Sequence, residues 1–238
     1  MVIEPPNPNK KFPYLTIGLI MANTIIYLIT TLIFSNTMFY LEENAITNLY
    51  IFRPSEFFSF QNWYTLFTSQ FMHGDPIHII SNMYFLFVFG DDMEQCLGKP
   101  AYIIFYLFSG VIAGMFFAVM QLLLAVLTSP LDLGLVLSIG AVGASGSLFG
   151  VMAGYGFSFP DRPLRMPGYK NAIKAKYFVL SYVAFEAIFT ALALLGVYGG
   201  DSVAHAAHIG GFLGGMAFVY LYKFFNTKRF KKIKNLEI

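Results

Sequence analysis

Charge is what this chain has least of. Only 12% of its 238 residues are Asp, Glu, Lys or Arg, about half the share usual in soluble domains, and that scarcity excludes an ordinary water-soluble domain. A net charge of +2 is too small to hold a polyanion, so nucleic acid is excluded as a partner. The single cysteine, Cys96, excludes an internal disulfide, and no Cys/His spacing of a structural zinc site surrounds it. HExxH is absent as well, and no carboxylate is expected beside the four histidines. Neither a metal nor a cofactor is therefore expected. The chain also lacks an internal repeat or a pair of interrupted helices in corresponding halves, which argues against a solute transporter.

Hydrophobic residues, by contrast, make up 57% of the chain, with 27 Phe and 15 Tyr, and the mean hydropathy is +0.62. Lipid is the expected solvent for most of it. Six apolar stretches run at roughly 12–40, 74–90, 101–128, 144–159, 177–198 and 203–225. The first is too long for a signal-peptide core, lacks an A-x-A cleavage site, and reads as a retained helix. In a six-span arrangement 14 of the 15 Lys and Arg residues fall on one side and only Arg53 on the other. That split places both termini in the cytoplasm. The outer loop 41–70, with Phe52, Phe57, Phe58, Phe60, Trp63 and Tyr64 among Ser, Asn and Gln, suits a segment lying in the outer-leaflet interface.

Two spans read as short. The fourth runs from Ser145 until Pro160 stops it, about 22 Å of a hydrocarbon layer about 30 Å thick. The second is expected to start at Pro76 and stop at Gly90-Asp91-Asp92. Backbone that ends at membrane depth must be buried by protein or line water, so a wet depression open to the outer face is expected. The starts of spans two, four and six share one depth, and the polar residues sit there: His78 and Asn82 on one face of the second, Gly143-Ala144-Ser145-Gly146 at the fourth, and His205-Ala206-Ala207-His208 at the sixth. A serine between small residues at a helix start presents its hydroxyl openly. The unpaired amides of that first turn point where negative charge would form. A histidine at the same depth is the natural base; spacing leaves His205 and His208 both open. Asp132 and Asp201 fall in outer loops and Glu186 in mid-helix, so a Ser/His dyad held by packing is expected. Gly146, Gly150 and Gly154 on span four, with Gly210, Gly211, Gly214 and Gly215 on span six, provide small faces for close approach. Glu186, as an ionisable residue in a span, is a candidate for gating. His73 is expected to steady the outer loop through hydrogen bonds.

The segments TSQFMHGDPIHIISNMYFLFVFGDDMEQCLG from Thr68, GASGSLFG from Gly143 and AHIGGFLGG from Ala207, in this order, resemble a rhomboid intramembrane serine protease over about residues 64–225. The resemblance implies an all-α polytopic protein with six transmembrane helices and a water-filled cavity. It implies Ser145 as nucleophile in G-x-S-G, His208 as base in A-H-x-x-G, and His78 and Asn82 as oxyanion binders together with the Ser145 amide. Gly143 matches the first glycine of the motif, Phe149 stands where relatives stack Tyr on the histidine, and His205 is left an accessory place at the rim. The expected organisation is a polar cytoplasmic leader at 1–11, the membrane domain at 12–225 and a basic cytoplasmic tail at 226–238. The expected activity is an intramembrane serine endopeptidase, its partners single-span transmembrane substrates and membrane lipid. FGDDME and the Pro-rich leader suggest a prokaryotic cell-membrane form with no seventh helix. The alternative is a non-catalytic relative that binds transmembrane segments without cutting them.

Overall fold

The computed structural model describes residues 12–34, 46–128, 132–165, 171–197 and 202–227. Six longer helices carry the fold: α1 (Tyr14–Ile33), α4 (Pro76–Leu97), α5 (Lys99–Thr128), α7 (Ser145–Ser158), α8 (Ala175–Leu194) and α9 (Ser202–Phe225). Three short ones, α2 (Pro54–Phe58), α3 (Thr65–Thr68) and α6 (Leu133–Ser138), lie in the connections. A two-stranded hairpin, β1 (Pro163–Leu164) with β2 (Ile173–Lys174), pairs Pro163 with Lys174 and Leu164 with Ile173. Among the described residues α1, α5 and α8 are long and apolar enough to cross a membrane, and the chain is a multi-pass membrane protein. The other three long helices depart from a plain lipid-spanning composition for visible reasons. In α4, Asp91, Asp92 and Glu94 occupy the last two turns; α7 has only 14 residues, and α9 opens on His205 and His208. The leader at 1–11 and the tail beyond 227 lie outside the described residues, as does 35–45 of the first expected span and its loop.

α7 is the central helix: every residue in it except Ser145 and Phe157 is buried. Glycines make that possible. A Cβ on Gly211 would fall against the Gly146 carbonyl and one on Gly215 against the Gly150 backbone, so α7 and α9 touch backbone to backbone at four-residue spacing, in parallel. α4 is parallel to both, since Asn82 lies by Gly143 and Met93 by Gly154. α5 is antiparallel, with Ala113, Ser109 and Phe105 facing Gly146, Gly150 and Gly154 in turn. The starts of α4, α7 and α9 therefore lie at one end of the bundle. Below them Leu86, Phe89, Met93, Tyr102, Phe105, Tyr106, Val151 and Val219 form the core, all at most 2% exposed.

The expectation that Gly90-Asp91-Asp92 ends the second span is not met, because α4 runs on to Leu97 and stops at Gly98, φ 80°. Each carboxylate beyond Gly90 has a partner, and those of Asp92 and Glu94 lie far along the chain. Asp91 accepts from Gln95 at 2.5 Å and Asp92 pairs with Arg162 at 2.9 Å. Buried Glu94 accepts from the Leu15 and Thr16 amides and the Thr16 hydroxyl at 3.1, 2.8 and 2.9 Å, capping the first turn of α1. Gly90 serves close packing instead of termination: a Cβ there would lie 2.7 Å from the Tyr102 hydroxyl and 2.8 Å from Thr16.

The described part of the outer loop packs as a unit. Phe57 and Phe60 both stack on Trp63, at 5.7 and 5.8 Å, with Phe60 and Trp63 exposed. Phe52 differs from its expected interfacial place. It is buried against Phe117 and Leu66, and its backbone bridges Ala141 through bonds of 3.2 and 2.8 Å.

Candidate active site

Ser145 is the first residue of α7 and one of the two in that helix that are not buried. The turn before it is held by Gly143, whose φ of 122° is open to glycine and strained for other residues, and whose amide donates to the Ser69 carbonyl at 2.9 Å. Ala144, the residue before α7, brings no capping side chain, so the first amides of α7 face the same end of the bundle as the serine hydroxyl, with the helix dipole behind them.

α4 delivers two groups to that turn. Asp75 caps α4 by accepting from the His78 amide at 2.9 Å, which fixes the first turn, and the His78 ring fills the space a Gly143 side chain would need, 2.6 Å from such a Cβ. Asn82, 6% exposed, holds its Nδ2 3.7 Å from the same point, and that buried donor has no acceptor among the described residues. An unsatisfied buried N–H costs about 1–3 kcal/mol, a cost that an oxygen arriving at the Gly143–Ser145 turn would relieve.

α9 carries both histidines that spacing left open, and tertiary packing gives them different neighbours. The His208 ring stacks on Phe149 with centroids 4.2 Å apart and planes 7° apart. Phe149 sits one turn after Ser145 on the same face of α7, so His208 stands on the Ser145 face. His205 packs instead against Phe189 at 5.1 Å and Phe185 at 5.9 Å.

The expectation that no carboxylate stands beside the histidines, leaving the base held by packing alone, does not survive the fold. Glu186 of α8, 5% exposed, lies between both rings. Its Oε2 meets Nδ1 of His205 in a short contact, and its Oε1 is 3.2 Å from Nδ1 of His208, an ion-pair distance without full hydrogen-bond alignment. A buried carboxylate is tolerable only with such partners. α8 and α9 are antiparallel neighbours, and the register that brings Glu186 to His205 and His208 cannot be read from either helix alone.

His73 also departs from expectation. It is fully buried with neither ring nitrogen in a well-aligned hydrogen bond, its ring edge-on to His78 at 5.1 Å. Burial, aided by the nearby His78 charge, pushes its pKa down to about 3, so it packs as a neutral ring beneath the α4 start. Sequence reading missed a polar pair that braces the site: Ser147 donates to Gln70 Oε1 at 3.0 Å, and Gln70 Nε2 donates to the Leu66 and Leu107 carbonyls at 2.7 and 3.3 Å. Both lie inside the motif-bearing segments, but they are 77 residues apart and no local spacing marks them as a pair.

Comparison with known proteins places a rhomboid domain on residues 61–224, which include each of these groups. The chain is similar to Rhomboid-like protein 11, chloroplastic, of Arabidopsis thaliana, with 31% identity over 181 residues, 74% of this chain and 57% of the relative. It is also similar to Presenilin-associated rhomboid-like protein A, mitochondrial, of Danio rerio, with 30% identity over 154 residues, 63% of this chain and 35% of the relative. The chain thus spans little more than half of the first relative's length and about a third of the second's.

Proposed function

The chain belongs to the rhomboid family, and on that premise we propose that it is an intramembrane serine endopeptidase with six transmembrane helices, α1, α4, α5, α7, α8 and α9, both termini on the Lys/Arg-rich side. The observation that carries the reading is the meeting, at one end of three parallel helices, of an accessible Ser145 at a helix start, an unsatisfied Asn82 amide at the adjoining turn, and a histidine pinned by Phe149 and Glu186.

Ser145 attacks a peptide carbonyl while Nε2 of His208 takes its proton. Glu186 favours the tautomer this needs: a proton on Nδ1 shared with Oε1 leaves Nε2 bare. The negative oxygen of the tetrahedral intermediate is met by the Ser145 amide, Asn82 Nδ2 and His78. His208 then returns the proton to the leaving amine, and a water completes hydrolysis by the same relay. Glu186 thereby takes an orienting role in place of the gating role its position suggested, and makes the pair a Ser–His–Glu triad. Substrates are single-span membrane proteins, cut near the outer end of the span where the helix unwinds. Entry between α4 and α8 suits the bundle, since those helices meet through aromatic side-chain pairs such as Phe85–Tyr182 and Phe89–Phe178.

The test is cleavage of a labelled single-span substrate by purified protein in liposomes, with Ser145→Ala and His208→Ala alongside. Product from the wild type and none from either variant is expected. A wild type that cuts no substrate and does not react with a serine-directed fluorophosphonate refutes the reading in favour of binding without cleavage.

A further inference from the structure

A buried carboxylate flanked by two imidazoles is more than an orienting device needs, because one histidine suffices for proton transfer. His205 and His208 both turn Nδ1 toward Glu186, and one ligand atom from each of the three residues lies within 4.8 Å of the others. Two imidazole nitrogens and one carboxylate oxygen are a recurring donor set for zinc. A tetrahedral zinc with bonds of about 2.0–2.1 Å requires its ligand atoms about 3.3 Å apart, so the three groups need to adjust by at most about 1.5 Å. Both rings are already oriented, His208 by Phe149 and His205 by Phe189, and their rotamers need no reversal.

We propose that Glu186, His205 and His208 form a binding site for a divalent transition-metal ion, zinc above all, and that its occupation switches the peptidase off. Zinc bound at Nδ1 of His208 requires the ring proton to move to Nε2. The ring then has no lone pair for the Ser145 proton, and Glu186 is engaged by the metal instead of the base. Metal binding and proton transfer are mutually exclusive. The binding half stands on the cluster alone, whereas the switching half rests on the peptidase reading.

Binding is measured first on the Ser145→Ala chain in detergent, free of tag histidines, by equilibrium dialysis with zinc and by the visible absorption of cobalt as a tetrahedral probe. One zinc per chain and a tetrahedral cobalt spectrum are expected, with affinity weakened at least about tenfold when His205→Phe or Glu186→Gln is added. Absence of stoichiometric metal, or affinity unchanged by both substitutions, overturns the site whether or not the chain is a peptidase. Inhibition is then measured on the active chain in liposomes. Zinc is expected to stop cleavage, a chelator to restore it, and His205→Phe, scaled to its own zinc-free rate, to require at least about ten times more zinc. Cleavage that continues with the site filled overturns the switch.

Discussion

Replacing Glu186 by glutamine keeps the side chain's shape and removes its charge, which makes it the sharpest probe of how His208 is held. If the carboxylate orients the ring and steadies the imidazolium formed as Ser145 attacks, the 3.2 Å contact closes to a full charge-assisted hydrogen bond in the transition state, and the change loses about 1.5–3 kcal/mol there. At about 1.4 kcal/mol per decade that is a fall in kcat of about 10–150-fold. Packing alone gives a different figure. The Phe149 stack contributes about 0.5–1.5 kcal/mol beyond its buried area, so Phe149→Leu should lower kcat by only about 2–12-fold. Cleavage of a reconstituted single-span substrate, followed over a range of substrate-to-lipid ratios, separates kcat from KM. Glu186→Gln should reduce kcat, leave KM near the wild-type value, and slow fluorophosphonate labelling of Ser145 in proportion. A variant with undiminished kcat, or one whose loss lies wholly in KM, would refute the orienting role and leave Phe149 as the support of the ring.

Asn82→Ala should lower kcat by about 10²–10³-fold with no loss of thermal stability, since the N–H donor it removes has no partner among the described residues; full activity in the variant would take Asn82 out of the site. Gly211→Ala should destabilise the fold by about 1–3 kcal/mol, because its Cβ meets the Gly146 carbonyl and forces α7 from α9, and an unchanged melting temperature in detergent would contradict that contact. His73 gives a pH dependence. Burial holds it near 3 in the folded chain against about 6.5 unfolded, so the unfolded chain takes the proton first as pH falls. The stability it confers is present above about pH 6.5 and is lost progressively toward pH 3. Melting temperatures of wild type should fall more steeply over that window than those of His73→Leu, and parallel curves would rule His73 out as a source of acid sensitivity.

Composition and short-range spacing were sufficient for part of this protein. Apolar runs marked the long helices, because lipid demands about 20 apolar residues in succession, and α5, α8 and α9 begin and end within a few residues of the expected spans. The four-residue glycine spacing announced that α7 and α9 would meet closely, because a helix displays such residues on one face. Ser145 at a helix start, and histidine and asparagine at the starts of two others, were legible for the same reason.

Other features depended on partners far along the chain. α4 continues through Gly90-Asp91-Asp92 because Arg162 and the first turn of α1 satisfy its carboxylates, contacts that span about 70 to 80 residues. His208 is distinguished from His205 by Phe149, some 60 residues away. Glu186 looked like an isolated charge until α8 packed beside α9 and set it between two imidazoles. By itself, then, the sequence determined that long apolar helices build the chain and which polar residue types stand near the starts of three helices, since both follow from local hydrophobicity and helical period. Only the tertiary structure decided which histidine stacks on Phe149 and that Glu186 stands between the two imidazoles, because the sliding and rotation of one helix against another are set by packing over its whole length.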